Sequence, residues 1–229
     1  MPSKFLNSKY WLDWLFPNRR PLCNKFIDWD KLLCEKCKDE LPYLENMIVK
    51  GKCPEAEKVF ALFAYNDTAV DGIYGLKHSN GVNFAEYASI CLVDFMAEEL
   101  TFDDIDLVTC VPMSKTKLLD RKYNQAEVFA KHMSKRLGKS FNGKLLQRKH
   151  NNIEQHMLSS EQRRENAENV YHIQNKHNDI KGKNILICDD VITTGATMSK
   201  CIRLLKEMGA DKVYVAAICT TVKSKNIGV

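Results

Sequence analysis

Ile185, Leu186, Ile187 and Cys188 form an apolar run that ends in two carboxylates, Asp189 and Asp190, and no other segment constrains the fold of this chain so tightly. After Val191 and Ile192 come Thr193, Thr194, Gly195, Ala196 and Thr197. Apolar residues then recur at helical spacing, Met198, Cys201, Ile202, Leu205 and Met208, closed by Gly209. The simplest reading is a buried strand, a tight turn and a helix start. The first N–H groups of a helix lack intrahelical partners, and three threonine hydroxyls add donors beside them. Val191, Thr193, Thr194, Gly195, Ala196 and Thr197 are therefore a candidate cradle for a phosphate monoester. Asp189 and Asp190, at the strand's carboxyl end, suit ribose hydroxyls or the waters of a magnesium ion. The competing reading is a plain buried strand with a threonine-capped helix. The segment holds no Gly-Lys-Thr or Gly-Lys-Ser step, so it is not a nucleoside-triphosphate P-loop.

Strand-like and helix-like patterns alternate around this signature. Residues 59–65 read as a strand, and Asn83 can cap a helix carrying Phe84, Tyr87, Ala88, Cys91 and Phe95. Residues 107–111 read as a buried strand stopped by Pro112. A helix near Asn124 has Ala126, Phe129, Ala130, Met133 and Leu137 on one face and ends at Gly138; residues 213–219 make a last strand. Such alternation predicts an α/β fold, a parallel sheet with helices on both faces. Glycines 72, 75 and 81 punctuate the stretch before Asn83, and 139–182 is polar and irregular. A chain of 229 residues can build one sizeable α/β domain plus an appendage. The expected division is a cysteine-bearing segment over 1–55, the α/β domain over 56–222 and a tail over 223–229.

The loop after the second strand holds Pro112, Met113, Ser114, Lys115, Thr116 and Lys117, at the sheet edge where the threonine turn should lie. Two lysines and two hydroxyls there can hold a second phosphate cluster, or be an ordinary solvated loop. Net charge is +5, too modest to demand a polyanionic partner. Its distribution is uneven: 131–150 holds Lys131, Lys135, Arg136, Lys139, Lys144, Arg148 and Lys149 with no acid. That run can meet a nucleic-acid backbone or be a solvated helix face. No stretch reaches the roughly 18 apolar residues that span a bilayer. The aromatic, amphipathic residues 4–16 can lie on a membrane surface or pack on the body before Pro17. Nine cysteines without a secretory signal point to a reducing, cytoplasmic setting. Cys91, Cys110, Cys188, Cys201 and Cys219 sit in apolar runs and read as small core residues.

The two acids followed by Thr-Thr-Gly-x-Thr resemble the phosphoribosyl diphosphate (PRPP) signature of type I phosphoribosyltransferases. More specific are Arg121, Lys122, Tyr123, Asn124 and Gln125, followed downstream by Arg148, Asn151, Gln155, Leu158, Arg163 and Asn166. This combination resembles the ComF (competence protein F) family, which carries Arg-Gly-Phe-Asn-Gln and then Arg, Gln and Arg-x-x-Asn. Lys122 stands where that family usually has glycine, and Ser114 where a histidine is common. The resemblance implies a type I phosphoribosyltransferase-like fold binding PRPP or ribose 5-phosphate with Mg2+. Asp189 and Asp190 would be the catalytic pair and metal carriers, and the 112–117 loop would contact the diphosphate. Lys77, Arg121, Asn124, Gln125, Arg148, Gln155 and Arg163 would supply other phosphate contacts, the last three from a hood over the site. A polar loop with Arg148, Lys149 and Arg163 beside a diphosphate would neutralise charge and exclude water.

The family also begins with a zinc ribbon. Here only Cys34 and Cys37 keep the Cys-x-x-Cys spacing, while a cation replaces the first cysteine of the pairs ending at Cys23 and Cys53. Cys23, Cys34, Cys37 and Cys53 suffice in number for one structural Zn2+; an eroded ribbon held by apolar contacts is the alternative. Two functions stay open. One is a binding protein of DNA uptake, handling single-stranded DNA with helicase-like and processing partners in natural competence. The other is transfer of ribosyl 5-phosphate from PRPP to a nitrogen nucleophile. No helix-turn-helix pattern supports a transcription regulator, and no acceptor pocket is recognisable.

Overall fold

Short apolar runs flanked by polar turns become strands, and the longer 3.6-periodic runs become the helices that cover them. The computed structural model describes residues 22, 31–77, 82–148, 171–173 and 180–221. Cys23, Gln155, Arg163, the aromatic stretch at 4–16 and the tail at 223–229 lie outside these residues. The strands are β1 (Val59–Ala64), β2 (Leu107–Cys110), β3 (Ser140–Phe141), β4 (Leu146–Arg148), β5 (Tyr171–Ile173), β6 (Ile185–Ile192) and β7 (Val213–Thr220). Five form one sheet in the order β1-β7-β6-β2-β3, parallel at every pairing. β4 and β5 pair antiparallel as a separate ribbon. The helices are α1 (Glu35–Asp39), α2 (Asp67–Lys77), α3 (Val82–Glu99), α4 (Lys115–Arg121), α5 (Gln125–Leu137) and α6 (Ala196–Glu207).

Each face of the sheet has its own core. Phe84, Leu92 and Met96 of α3 join Phe129 and Met133 of α5 on one face. Met198, Cys201, Ile202 and Leu205 of α6 cover the other, with Leu146 and Ile173 of the ribbon. Each such side chain contributes roughly 1.5–3 kcal/mol when fully buried. The parallel sheet covered on both faces is thus present as the alternation predicted. All eight residues of β7 are buried, as a strand sandwiched between two layers requires. Cys110, Cys188, Cys201 and Cys219 are core residues, whereas Cys91 is only half-buried.

Three elements differ from the sequence reading. Residues 67–77 are a helix despite Gly72, because that glycine is a packing residue: a Cβ there would lie 2.6 Å from the Phe84 ring. α4 begins inside the expected 112–117 loop, with Ser114 as its N-cap accepting from Lys117 N–H at 3.4 Å. The β4–β5 ribbon occupies part of the stretch read as irregular. Ahead of the sheet, residues 42–49 run alongside β1. Ala64 and Ala61 N–H donate to the carbonyls of Pro42 and Met47, and Leu44 and Val49 N–H donate back to Leu62 and Val59. Leu33 and Leu41 enter the α3/α5 core and Cys53 the α6 core, so residues 31–53 share both cores with the sheet.

Candidate functional site at the carboxyl edge of the sheet

β6 changes character along its length: residues 185–188 are buried and 189–191 half-buried, as the strand runs out from between its covering layers. Asp189 Oδ1 accepts Asp190 N–H at 2.9 Å, and Asp190 Oδ1 accepts Val191 N–H at 2.9 Å. Burial raises the Asp189 carboxyl well above the usual carboxylate range, and the neighbouring charge of Asp190 pushes it the same way. The strand passes into exposed Thr193 and Thr194, then buried Gly195, then exposed Ala196 and Thr197. Gly195 is the N-cap of α6 at φ +82°, a left-handed conformation that glycine adopts without strain. It has no side chain to cap the helix, so Thr194 Oγ1 accepts Ala196 N–H instead, at 3.3 Å.

These residues line a cavity of about 100 Å3, formed by Asp189, 191–194, Gly195, Ala196, Thr197 and Met198. That is well below the roughly 300–1,000 Å3 of pockets for drug-sized molecules, so it suits a single small polar group. A larger hollow of about 510 Å3 lies at the opposite end of the sheet, along Ala97 to Phe102. Glu98 and Glu99 line it, which disfavours an anion there.

β2 delivers its loop to the same edge. Cys110 pairs with Cys188, and Val111 N–H donates to Cys188 O at 2.9 Å, so Pro112, Met113 and Ser114 leave the sheet next to Asp189. Pro112, Met113 and Ser114 are half-buried; Lys115 and Lys117 are exposed on the first turn of α4. The ribbon adds a third element. Arg148 of β4 is paired with Tyr171 of β5, and its guanidinium lies 5.9 Å from the Tyr171 ring centroid. Tyr171 packs against the core that α6 covers. β4 and β5 thus bring Arg148 and Tyr171 to the α6 side of the sheet, and Gln155 and Arg163 lie outside the described residues. Tyr171 escaped the sequence reading; the only local signal was a short apolar and aromatic run at 170–173.

Within the Arg121–Gln125 motif, Asn124 and Gln125 are buried. Asn124 is 8% exposed: its Nδ2 donates to Val111 O at 2.9 Å, and its Oδ1 accepts Ala126 N–H at 3.2 Å. Gln125 is fully buried, and its Oε1 accepts from Arg121 at 3.4 Å. Asn124 and Gln125, expected as phosphate contacts, are instead buried supports of the β2 loop and α5. Lys122, the residue in the glycine position, is the C-cap of α4 at φ +65°. Lys77 is the last residue of α2.

The N-terminal segment reaches the site by a route absent from the sequence reading. Lys52 Nζ donates to the carbonyls of Ile192 (3.3 Å), Thr193 and Thr221 (2.6 Å), and to the hydroxyls of Thr220 (2.9 Å) and Thr221 (2.7 Å). Cys53, at φ +51°, donates its thiol to Gly195 O at 3.7 Å. Burial pushes the Cys53 thiol up, so it stays a neutral donor. Cys34 caps α1, its sulfur accepting Cys37 N–H at 3.4 Å. Among the described residues no three Cys, His, Asp or Glu converge as a metal site, because Cys53 lies against the threonine turn and Cys37 packs into the interior. Cys23, the fourth thiol of the expected zinc set, lies outside the described residues.

Three of the seven cations in the basic run pair with acids, one on the same helix and two on other elements. Lys131 pairs with Glu127 (2.7 Å), Arg136 with Glu86 (3.9 Å) and Lys139 with Asp103 (3.4 Å). Among the described residues, no helix is long and apolar enough to cross a membrane.

Comparison with known proteins fits this geometry. Residues 124–227 match the family described as the phosphoribosyl transferase domain, a stretch that takes in β3 to β7 and the threonine turn. A ribose-phosphate pyrophosphokinase of Pyrococcus furiosus is 58% identical over 38 residues, 17% of this chain and 14% of that protein. The DNA utilization protein YhgH of Escherichia coli (strain K12) is 26% identical over 207 residues, 87% of this chain and 89% of that protein. Phosphoribosylpyrophosphate synthetase from Mycobacterium smegmatis aligns in three dimensions over 58% of this chain and 33% of that one, with a TM-score of 0.39 and 19% identity. Over residues 124–227 the chain is thus similar to the phosphoribosyl transferase domain.

Proposed function

We propose that this chain binds PRPP, or another ligand bearing ribose 5-phosphate, at the turn between β6 and α6, with magnesium. The observation that carries this reading is the small threonine-lined cavity at the end of β6, beside twin carboxylates and facing the β2 loop. The 5′-phosphate takes the N–H and hydroxyl donors of 193–197. The carboxylates of Asp189 and Asp190 hold the ribose hydroxyls. Their hard oxygens also suit the waters of Mg2+, and Asp189, held toward its neutral form, gains its carboxylate charge back beside a dication. Bound there, the metal supplies charge neutralisation for a diphosphate. Lys115 and Lys117, with Pro112, Met113 and Ser114, receive that diphosphate, and Arg148 approaches from the ribbon. Neither the donor nor the acceptor side needs a nucleophilic thiol: Cys188, next to Asp189, is fully buried and its thiol is pushed up.

The test is thermal melting with PRPP and magnesium, in which wild type melts higher and Asp189→Asn/Asp190→Asn shows no shift. No shift in wild type at millimolar PRPP ends the reading. Asp189→Asn also has an effect without ligand. Its folded-state carboxyl titrates above the unfolded value, so the folded chain holds that proton more tightly than the unfolded chain, and stability falls as pH rises from the unfolded value through the folded one. The neutral amide therefore melts higher than wild type at pH 7, and the two converge under acid.

Transfer of the ribosyl 5-phosphate to a nitrogen nucleophile is the enzymatic form of this proposal; diphosphate release in the presence of candidate acceptors tests it. A second reading, handling of single-stranded DNA in competence, is favoured by the likeness to YhgH along most of both chains. Helicase-like and processing partners and a cytoplasmic setting belong to that reading. Affinity for single-stranded DNA should fall with salt and drop when Lys135, Arg136 and Lys139 become Gln. Unchanged binding in that triple variant removes the basic run from consideration.

A further inference from the structure

We infer that Lys52 is a positioning residue for the phosphate turn, an internal ammonium that fixes the direction of the turn's N–H donors from behind. The inference rests on the function proposed above for its ligand arm and on geometry alone for its structural arm. Lys52 Nζ is surrounded by oxygens of Ile192, Thr193, Thr220 and Thr221, three carbonyls and two hydroxyls. A peptide unit is planar, with C=O and the following N–H on opposite sides. Aiming the carbonyls of Ile192 and Thr193 at Lys52 therefore aims the N–H groups of Thr193 and Thr194 away from it. Those two residues line the cavity. Gly195 O is held the same way, accepting the Cys53 thiol at 3.7 Å and Ser199 N–H at 2.8 Å.

The hydroxyls tie the arrangement together. Thr220 Oγ1 donates to Ile192 O at 3.0 Å and Thr221 Oγ1 to Thr193 O at 3.0 Å, so both meet the same carbonyls that Lys52 holds. Carbonyl oxygens clustered this closely repel one another unless a cation sits among them. Lys52 is that cation, delivered from the segment before the sheet to a turn about 140 residues further along the chain. The arrangement makes the cysteine-bearing N-terminal segment part of the ligand site, through backbone orientation and not through contact with the ligand.

The experiment uses the full chain with Lys52→Ala and Lys52→Gln, read by hydrogen exchange across 192–197 and by calorimetric titration with ribose 5-phosphate. The expected result for Lys52→Ala is faster exchange at the turn and affinity weaker by roughly tenfold or more. Exchange in β2 and α5 should stay near wild type, and Lys52→Gln, which keeps a donor without charge, should rank between. Ammonium chloride should restore the turn of Lys52→Ala, and tetramethylammonium chloride at equal ionic strength should not, because only the smaller ion fits among the oxygens. Wild-type exchange and affinity in Lys52→Ala overturn the inference, as does equal rescue by both salts. If Lys52→Ala does not fold, Lys52→Gln is judged by the same criteria. Failure of wild type to bind ribose 5-phosphate would end the proposed function, while exchange at 192–197 would still decide the role of Lys52.

Discussion

Two loops meet at the carboxyl edge of the sheet and are braced in opposite ways. The β2 loop is braced from nearby in the chain: Asn124, 13 residues after Val111, returns its amide to Val111 O while capping α5, and Ser114 caps α4 from within the loop. The β6 turn is braced remotely, by Lys52 and Cys53 from the far end of the chain. A local brace is a cap, replaceable at modest cost and visible as an Asn or Ser before a helix. A remote brace depends on the whole fold being assembled, and here it presses on a glycine. The turn that must present its backbone to a ligand is the one whose backbone is fixed by tertiary contacts.

Substitutions can break or sharpen that contrast. Gly195→Ala should have the largest effect, since it forces a left-handed backbone on alanine and places a Cβ 3.0 Å from Cys53 Sγ. The expected loss is about 2–5 kcal/mol in urea unfolding, combining backbone strain with crowding. Adding Cys53→Ala should recover the crowding part alone, so a strictly additive double variant would show that the two residues do not press on each other. Asn124→Ala should cost about 1–2 kcal/mol, and Ser114→Ala less, about 0.5–1 kcal/mol. Equal losses would mean that the Asn124 bond to Val111 O adds nothing to its cap. Lys122→Gly should act in the opposite direction and least, raising stability by about 0.5–1 kcal/mol through relief of the φ +65° backbone. A fall in melting temperature would instead give the Lys122 side chain a role that outweighs its strain.

Much of the site was legible because its chemistry is contiguous. The run from Ile185 to Thr197 declares a strand, twin acids and a helix start within one window, and each falls where periodicity and capping place it. α5 is equally legible, from its Asn124 cap to Gly138 at φ +67°. Legibility fails where partners are distant in sequence. Arg136 and Lys139 look like part of an unopposed basic run because Glu86 and Asp103, on other elements, are invisible in a linear window. Gly72 reads as a breaker until Phe84 is seen against it. Tyr171 gains meaning only from its pairing with Arg148 across the ribbon. The burial of Asn124 and Gln125 is equally hidden, since sequence cannot tell a polar residue facing a cleft from one beneath it.

The extended residues 42–49 have a consequence for how copies of this chain meet one another. A parallel sheet ends in strands whose outer backbone groups invite another strand to join. Here one border is already taken by the chain's own 42–49 stretch, and at the other stands β3, two residues long. Among the described residues, the five-stranded sheet thus offers an added strand little template at either border.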